Sequence, residues 1–167
     1  KRQAYNGHAT PWHQDGQYWP IRPLATCTVW LAVDDANEEN GCLKFIRGSH
    51  RDKNLKQHEF NEDKNLTLHQ ELLKSEFNEK ESVNLILKRG QISLHDVYLV
   101  HGSDANLSSK SRRGMTMRFM PTTSVFDHNL AKEKYNNLNI SKYSNRKIYL
   151  ARGYDKSKRN NLEVVNF

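Results

Sequence analysis

A chain of 167 residues, 36% hydrophobic and 27% charged, can enclose one hydrophobic core, and its balance excludes collagen-like, fibrous and disordered polypeptides. No apolar run approaches the roughly 20 residues of a membrane helix, and residues 1–10 lack the apolar stretch of a secretory signal, so a soluble, cytoplasmic protein with no membrane partner is expected. A net charge of +7 would suit nucleic acid, but the basic residues are dispersed and not interleaved with aromatic ones, so they read as a solvated surface with no nucleic-acid partner.

In chain order, the first notable segment is Trp12-His13-Gln14-Asp15-Gly16, read as part of a strand. Further strands are expected over residues 24–33, 41–46, 83–87, 91–94, 97–101 and 114–120, where β-branched, aromatic and apolar residues dominate and turn residues bound the runs. Residues 54–80 are polar, with patchy helical spacing of Leu66, Leu68, Leu72 and Leu73, and read as an insertion with a short helix that lids a site. The small, polar stretch 102–111 reads as a hairpin loop. Asp127 is placed to cap a helix through Leu130, Ala131 and Tyr135. Cys27 and Cys42 each lie in an apolar segment and read as free, core-packed thiols in a reducing compartment. Short strands, frequent turns and few helices predict a single all-β barrel or sandwich with peripheral helices, its core spanning about residues 8–123 and a helix-and-strand extension about 124–167.

Chemistry concentrates around the first motif. On a strand, residues two apart share a face, so His13 and Asp15 can converge while Gln14 turns away. An imidazole and a carboxylate so placed supply two of the three ligands of a facial triad. A lone match of this kind arises easily in a chain with eight histidines. His101, at the end of an apolar run and before a small-residue loop, is the candidate third ligand, although a histidine there is also an ordinary hydrogen-bonded core residue. Arg112 tips the balance. It follows the loop, and a hairpin would set it beside His101, where a buried guanidinium requires an anion. Alternation sends the rival Arg113 to the opposite face. A ligand that chelates metal at one end and meets arginine at the other has the form of 2-oxoglutarate.

The ordered pieces His13-Gln14-Asp15, Glu39-Asn40-Gly41-Cys42-Leu43 with Gly48-Ser49-His50, and His101-Gly102-Ser103 with Asn106 and Arg112 together resemble the phytanoyl-CoA dioxygenase family of non-haem iron oxygenases. The resemblance implies a mainly β, double-stranded β-helix (jelly-roll, cupin-like) fold. It implies Fe(II) held by His13, Asp15 and His101, and 2-oxoglutarate anchored by Arg112, with Ser103, Trp30 and Gln14 near the co-substrate. Trp30 reads equally as core. The implied reaction consumes O2 and 2-oxoglutarate, releases succinate and CO2, and hydroxylates a small-molecule substrate, with ascorbate as a supporting reductant. The carboxylate of Asp15 distinguishes the chain from halogenases on this scaffold, which carry a small residue there. Two features depart from the family: Ile46-Arg47 stands where a proline is frequent, and His13 lies close to the first residue, so an N-terminally truncated domain is expected. A non-catalytic cupin-like metal- or anion-binding protein is the alternative reading. His8 reads as surface and His95 as a strand or core histidine. Arg118 reads as a partnered structural residue, and Trp12, Tyr18 and Trp19 as candidate pocket walls. Selectivity is expected around Gln70 and Glu71.

Overall fold

The computed structural model describes residues 4–138 and 143–163. Its strands are β1 (Thr10–His13), β2 (Ile21–Arg22), β3 (Cys27–Ala32), β4 (Leu43–Ile46), β5 (His58–Phe60), β6 (Gln70–Leu72), β7 (Ser82–Leu85), β8 (Ile92–Asp96), β9 (His101–Ser103), β10 (Gly114–Phe119) and β11 (Val125–Phe126). Helix α1 (His128–Leu138) follows, and then β12 (Ile148–Tyr149) and β13 (Leu162–Glu163). Two antiparallel sheets dominate. One has the order β1-β9-β4-β7 and the other β10-β3-β8, and their inner faces line a common chamber. Among the described residues no helix is long and apolar enough to cross a membrane.

Strand alternation decides what enters that chamber. In β3 the side chains of Thr28, Trp30 and Ala32 are buried while Cys27 is exposed. Antiparallel pairing extends this parity sideways: Arg118, Thr28 and His95 form one inward row across the three-stranded sheet, and Thr116, Trp30 and Ser93 form the next. On the four-stranded sheet, His13 stands directly opposite His101. Apolar side chains gather in separate clusters: Trp19, Ile21, Val97, Phe126 and Ala131 pack together in one, and Ile46, Leu72 and Val100 in another.

Several expectations need correction. Residues 97–101 are not a strand: β8 runs on to Asp96, a turn follows, and β9 starts at His101. Val97 and Val100 are fully buried in this crossover, which explains an apolar run that mimics a strand. The Val100 amide donates to the Ser49 hydroxyl (2.8 Å), tying the crossover to the turn after β4. Nor do residues 102–111 form a hairpin, because β9 and β10 belong to different sheets. The insertion carries the β5–β6 ribbon and two short 3-10 turns instead of an α-helix, and Leu72 is spent in the core. Cys27 is exposed, so only Cys42 of the two free thiols is a core residue. The Asp127 cap is present: its carboxylate accepts from the amides of Asn129 and Leu130, both at 2.9 Å, at the start of α1.

Candidate metal and co-substrate site

The pairing of β1 with β9 brings the His13 and His101 rings to 4.2 Å between centroids. Both rings are oriented by the same local device. Nδ1 of His13 lies 2.8 Å from the Pro11 carbonyl, and Nδ1 of His101 lies 2.9 Å from the Leu99 carbonyl, two residues back in each case. A carbonyl only accepts, so each Nδ1 carries a proton and Nε2 is the nitrogen left to meet a metal. Asp15 reaches the same point by a different route from the one expected. It opens a 3-10 turn, Asp15–Gln17, beyond the end of β1, with Gln14 still extended between them. The ligand atoms of His13, Asp15 and His101 lie within 4.8 Å of one another, and all three residues are buried.

The inward row of the facing sheet closes on Asp15. Thr28 donates its hydroxyl to Oδ2 (3.0 Å), Arg118 donates through Nη2 to Oδ1 (3.3 Å), and Nε2 of His95 lies 3.8 Å from Oδ2. Burial alone would raise the Asp15 carboxyl, but its neighbours His101, Arg118, His13 and His95 outweigh that and keep the group well below the usual carboxylate range. Asp15 is therefore ionised. Burial, reinforced by His101, pushes His13 down to about 3, and the same two causes push His95 down to about 4. The result is a fixed carboxylate beside neutral imidazoles, the donor chemistry that suits a borderline divalent metal such as iron.

Arg112 lies just before β10, across the chamber on the other sheet, and not beside His101 on a hairpin. It is 5% exposed, its guanidinium stands 5.5 Å from the Trp30 ring, its Nε has no hydrogen-bond partner, and among the described residues no carboxylate pairs with it. Burial lowers it to about 10, which still leaves it charged at neutral pH. Arg113 faces out and is held by Asp34 through Nε (2.8 Å) and Nη2 (2.6 Å), as alternation requires. Arg112, Ser103 and Trp30 line one chamber of about 330 Å³ with the His13, Asp15 and His101 cluster.

Gln14 is not available to this chamber. Its carboxamide is fully buried and donates to the carbonyls of Asn54 (2.9 Å) and Tyr98 (2.7 Å), while its oxygen accepts from the Lys56 amide (2.8 Å). The residue splints the insertion to the crossover, so a co-substrate role does not fit it. Tyr18 and Trp19 do line the chamber, whereas Trp12 packs on Phe77. From the insertion it is Thr67 and Leu68, not Gln70, that face the chamber; the Gln70 carbonyl accepts from the Tyr18 hydroxyl (2.8 Å).

His95, Arg118 and Gly114 were the residues that sequence reasoning undervalued. Gly114 lets the Trp30 indole lie flat on β10, since a Cβ at this position would fall within 2.8 Å of three ring atoms. Gly114→Ala is expected to force Trp30 off its rotamer, lower stability by about 1–3 kcal/mol, and disturb the aromatic wall of Arg112. Thermal unfolding of the variant checks this, and an unchanged midpoint would refute it.

Two sheets closing over an inward-facing pair of histidines and one carboxylate make this a mainly β, jelly-roll protein of the cupin-like kind. Residues 2–114 match the family model described as Phytanoyl-CoA dioxygenase (PhyH), and the chain belongs to that family. It is 33% identical over 125 residues to a phytanoyl-CoA dioxygenase domain-containing protein 1 homolog of Caenorhabditis briggsae, an alignment covering 71% of this chain and 43% of that protein. Among solved structures, the non-heme monooxygenase ThoJ in its apo form superimposes with a TM-score of 0.62 at 26% identity, covering 74% of this chain and 44% of the other. EvdO2 from Micromonospora carbonacea var. aurantiaca, complexed with 2-oxoglutarate, gives 0.61 at 26% identity, covering 71% and 48%. The chain spans less than half the length of the curated relatives it matches.

Proposed function

We propose that this chain is the core of an Fe(II)- and 2-oxoglutarate-dependent dioxygenase that hydroxylates a small-molecule substrate and releases succinate and CO2. The observation that carries the reading is Arg112, a buried, charged guanidinium with an unbonded Nε, in the same chamber as three converging metal-ligand atoms. A charge so placed is costly unless an anion completes it. 2-Oxoglutarate provides one, with a keto-acid end for the metal and a distal carboxylate for the arginine.

The residues present fit Fe(II): the imidazoles of His13 and His101, each oriented through Nδ1 by a backbone carbonyl, and the ionised carboxylate of Asp15 would hold it. Iron held there would supply the redox chemistry that couples decarboxylation of 2-oxoglutarate to oxidation of a substrate C–H bond, one oxygen atom of O2 entering succinate and the other the new hydroxyl. The protein's own part is positional. Arg118 and Thr28 hold Asp15 ionised and fixed, Arg112 would receive the distal carboxylate, and Ser103 and Trp30 border the same space. Two free cysteines and a ferrous site suit a reducing, cytoplasmic setting, with ascorbate as a supporting reductant.

Titration of the oxygen-free protein with Fe(II) and 2-oxoglutarate tests the reading. The expected result is a weak visible metal-to-ligand charge-transfer band, followed on exposure to air by succinate formation. A folded protein that gives no band would instead be a metal- or anion-binding relative without this activity.

A further inference from the structure

A third histidine repeats the device that orients His13 and His101. Nδ1 of His58, at the start of β5, lies 2.9 Å from the Lys56 carbonyl, again two residues back. The carbonyl accepts, so Nδ1 carries the proton and Nε2 is left as an acceptor. Burial pushes the imidazole down, which keeps Nε2 unprotonated at neutral pH. His58 does not line the metal chamber; its Nε2 accepts the backbone amide of Gln14 at 3.1 Å.

That amide sits between two of the candidate ligands. His13 ends β1 and Asp15 opens the 3-10 turn, so the extended peptide at Gln14 sets how far the imidazole stands from the carboxylate. Gln14 is 0% exposed, and a buried amide stripped of its acceptor is costly. The segment that carries His58 engages Gln14 twice more, through the Asn54 carbonyl (2.9 Å) and the Lys56 amide (2.8 Å). Further along, the same insertion grips both flanks of the motif. The Thr67 amide donates to the Ala9 carbonyl (2.9 Å), and the Tyr18 hydroxyl donates to the Gln70 carbonyl (2.8 Å). The ribbon itself is anchored, because Leu72, the β6 partner of His58, is 1% exposed and packs with Ile46 and Val100.

We infer that His58 is a positioning residue of the metal centre: by holding the Gln14 amide, it fixes the backbone on which the His13 imidazole and the Asp15 carboxylate converge. Metal sites hold their ligands to within about 0.2 Å, so a small rotation of this peptide is felt at the metal. The insertion thereby acts as a strut of the metal site. The inference rests on the dioxygenase reading for the metal.

The test is calorimetric titration of oxygen-free protein with Fe(II), followed by 2-oxoglutarate and the charge-transfer band. His58→Phe, which keeps a ring and removes the acceptor, is expected to bind Fe(II) at least about tenfold more weakly and to shift or weaken the band. His58→Gln, whose carboxamide oxygen can accept the same amide, should recover most of the affinity. Asn61→Ala removes the 2.5 Å bond from Asn61 to Glu71 and loosens the ribbon away from Gln14, and should leave iron affinity unchanged. In the metal-free protein, hydrogen exchange of the Gln14 amide should quicken in His58→Phe and not in Asn61→Ala. Should His58→Phe fail to fold, His58→Asn takes its place, since its shorter carboxamide replaces Nδ1 and stops short of the amide. Parental iron affinity in the folded variant, no recovery in His58→Gln, or an equal loss in Asn61→Ala overturns the inference. A parent that binds no Fe(II) removes the dioxygenase reading and this inference with it, whereas a parent that binds iron no better than folded His58→Phe removes this inference alone.

Discussion

His101→Ala is expected to weaken Fe(II) binding at least about a hundredfold, or about 2.8 kcal/mol, and to abolish the charge-transfer band with 2-oxoglutarate. The argument is geometric. His13 and His101 are directly paired across β1 and β9, each turned by a backbone carbonyl two residues earlier, and one ligand atom from each lies within 4.8 Å of the Asp15 carboxylate. Truncation leaves two of the three candidate ligands and an open cavity where the third stood. The Leu99 carbonyl also loses its donor, so some fall in stability accompanies the loss. Circular dichroism and thermal unfolding therefore belong beside the metal titration. A folded His101→Ala protein with undiminished iron affinity would move the metal elsewhere.

Arg112→Ala tests the other end of the co-substrate. Loss of a charge-assisted bidentate pair should raise the 2-oxoglutarate concentration needed for the band by about ten- to a hundredfold, roughly 1.5–3 kcal/mol, with iron affinity little changed. Stability should move in an instructive direction. In the protein free of co-substrate, Arg112 is a buried charge without a carboxylate partner among the described residues, so a well-packed neutral replacement such as Arg112→Met should not destabilise it and is expected to raise its unfolding midpoint. The parent midpoint should rise with 2-oxoglutarate, because the ligand binds only the folded state, and the variant midpoint should not. A variant that is strongly destabilised and still responds to 2-oxoglutarate would show that Arg112 serves the fold and not the anion.

The sequence carried much of this site because several of its constraints are local. The His13 and Asp15 spacing, the parity that turns Thr28 and Trp30 inward, the outward turn of Arg113 and the Asp127 cap each depend on neighbours within a few residues. The ordered motifs also placed His101 and Arg112 in the same chamber, even though the hairpin imagined between them does not exist. Where long-range pairing takes over, local reading fails. Val97 and Val100 look like strand residues because they are buried, yet they are buried in a crossover between sheets. Gln14 borders the motif, but its carboxamide is claimed by segments 40 and 84 residues away.

What only the tertiary structure decided is the company Asp15 keeps. Arg118, Thr28 and His95 come from three different strands and form one row solely because of sheet register, which no local pattern encodes. The same holds for Gly114, whose missing side chain matters only once Trp30 is laid over it. Sequence by itself singled out the candidate donor residues and, within the strands, the parity of their side chains. Their convergence, the ionised state of Asp15 and the unneutralised charge of Arg112 were set by which strands pair and what they bury, since burial and cross-strand contact govern those energies.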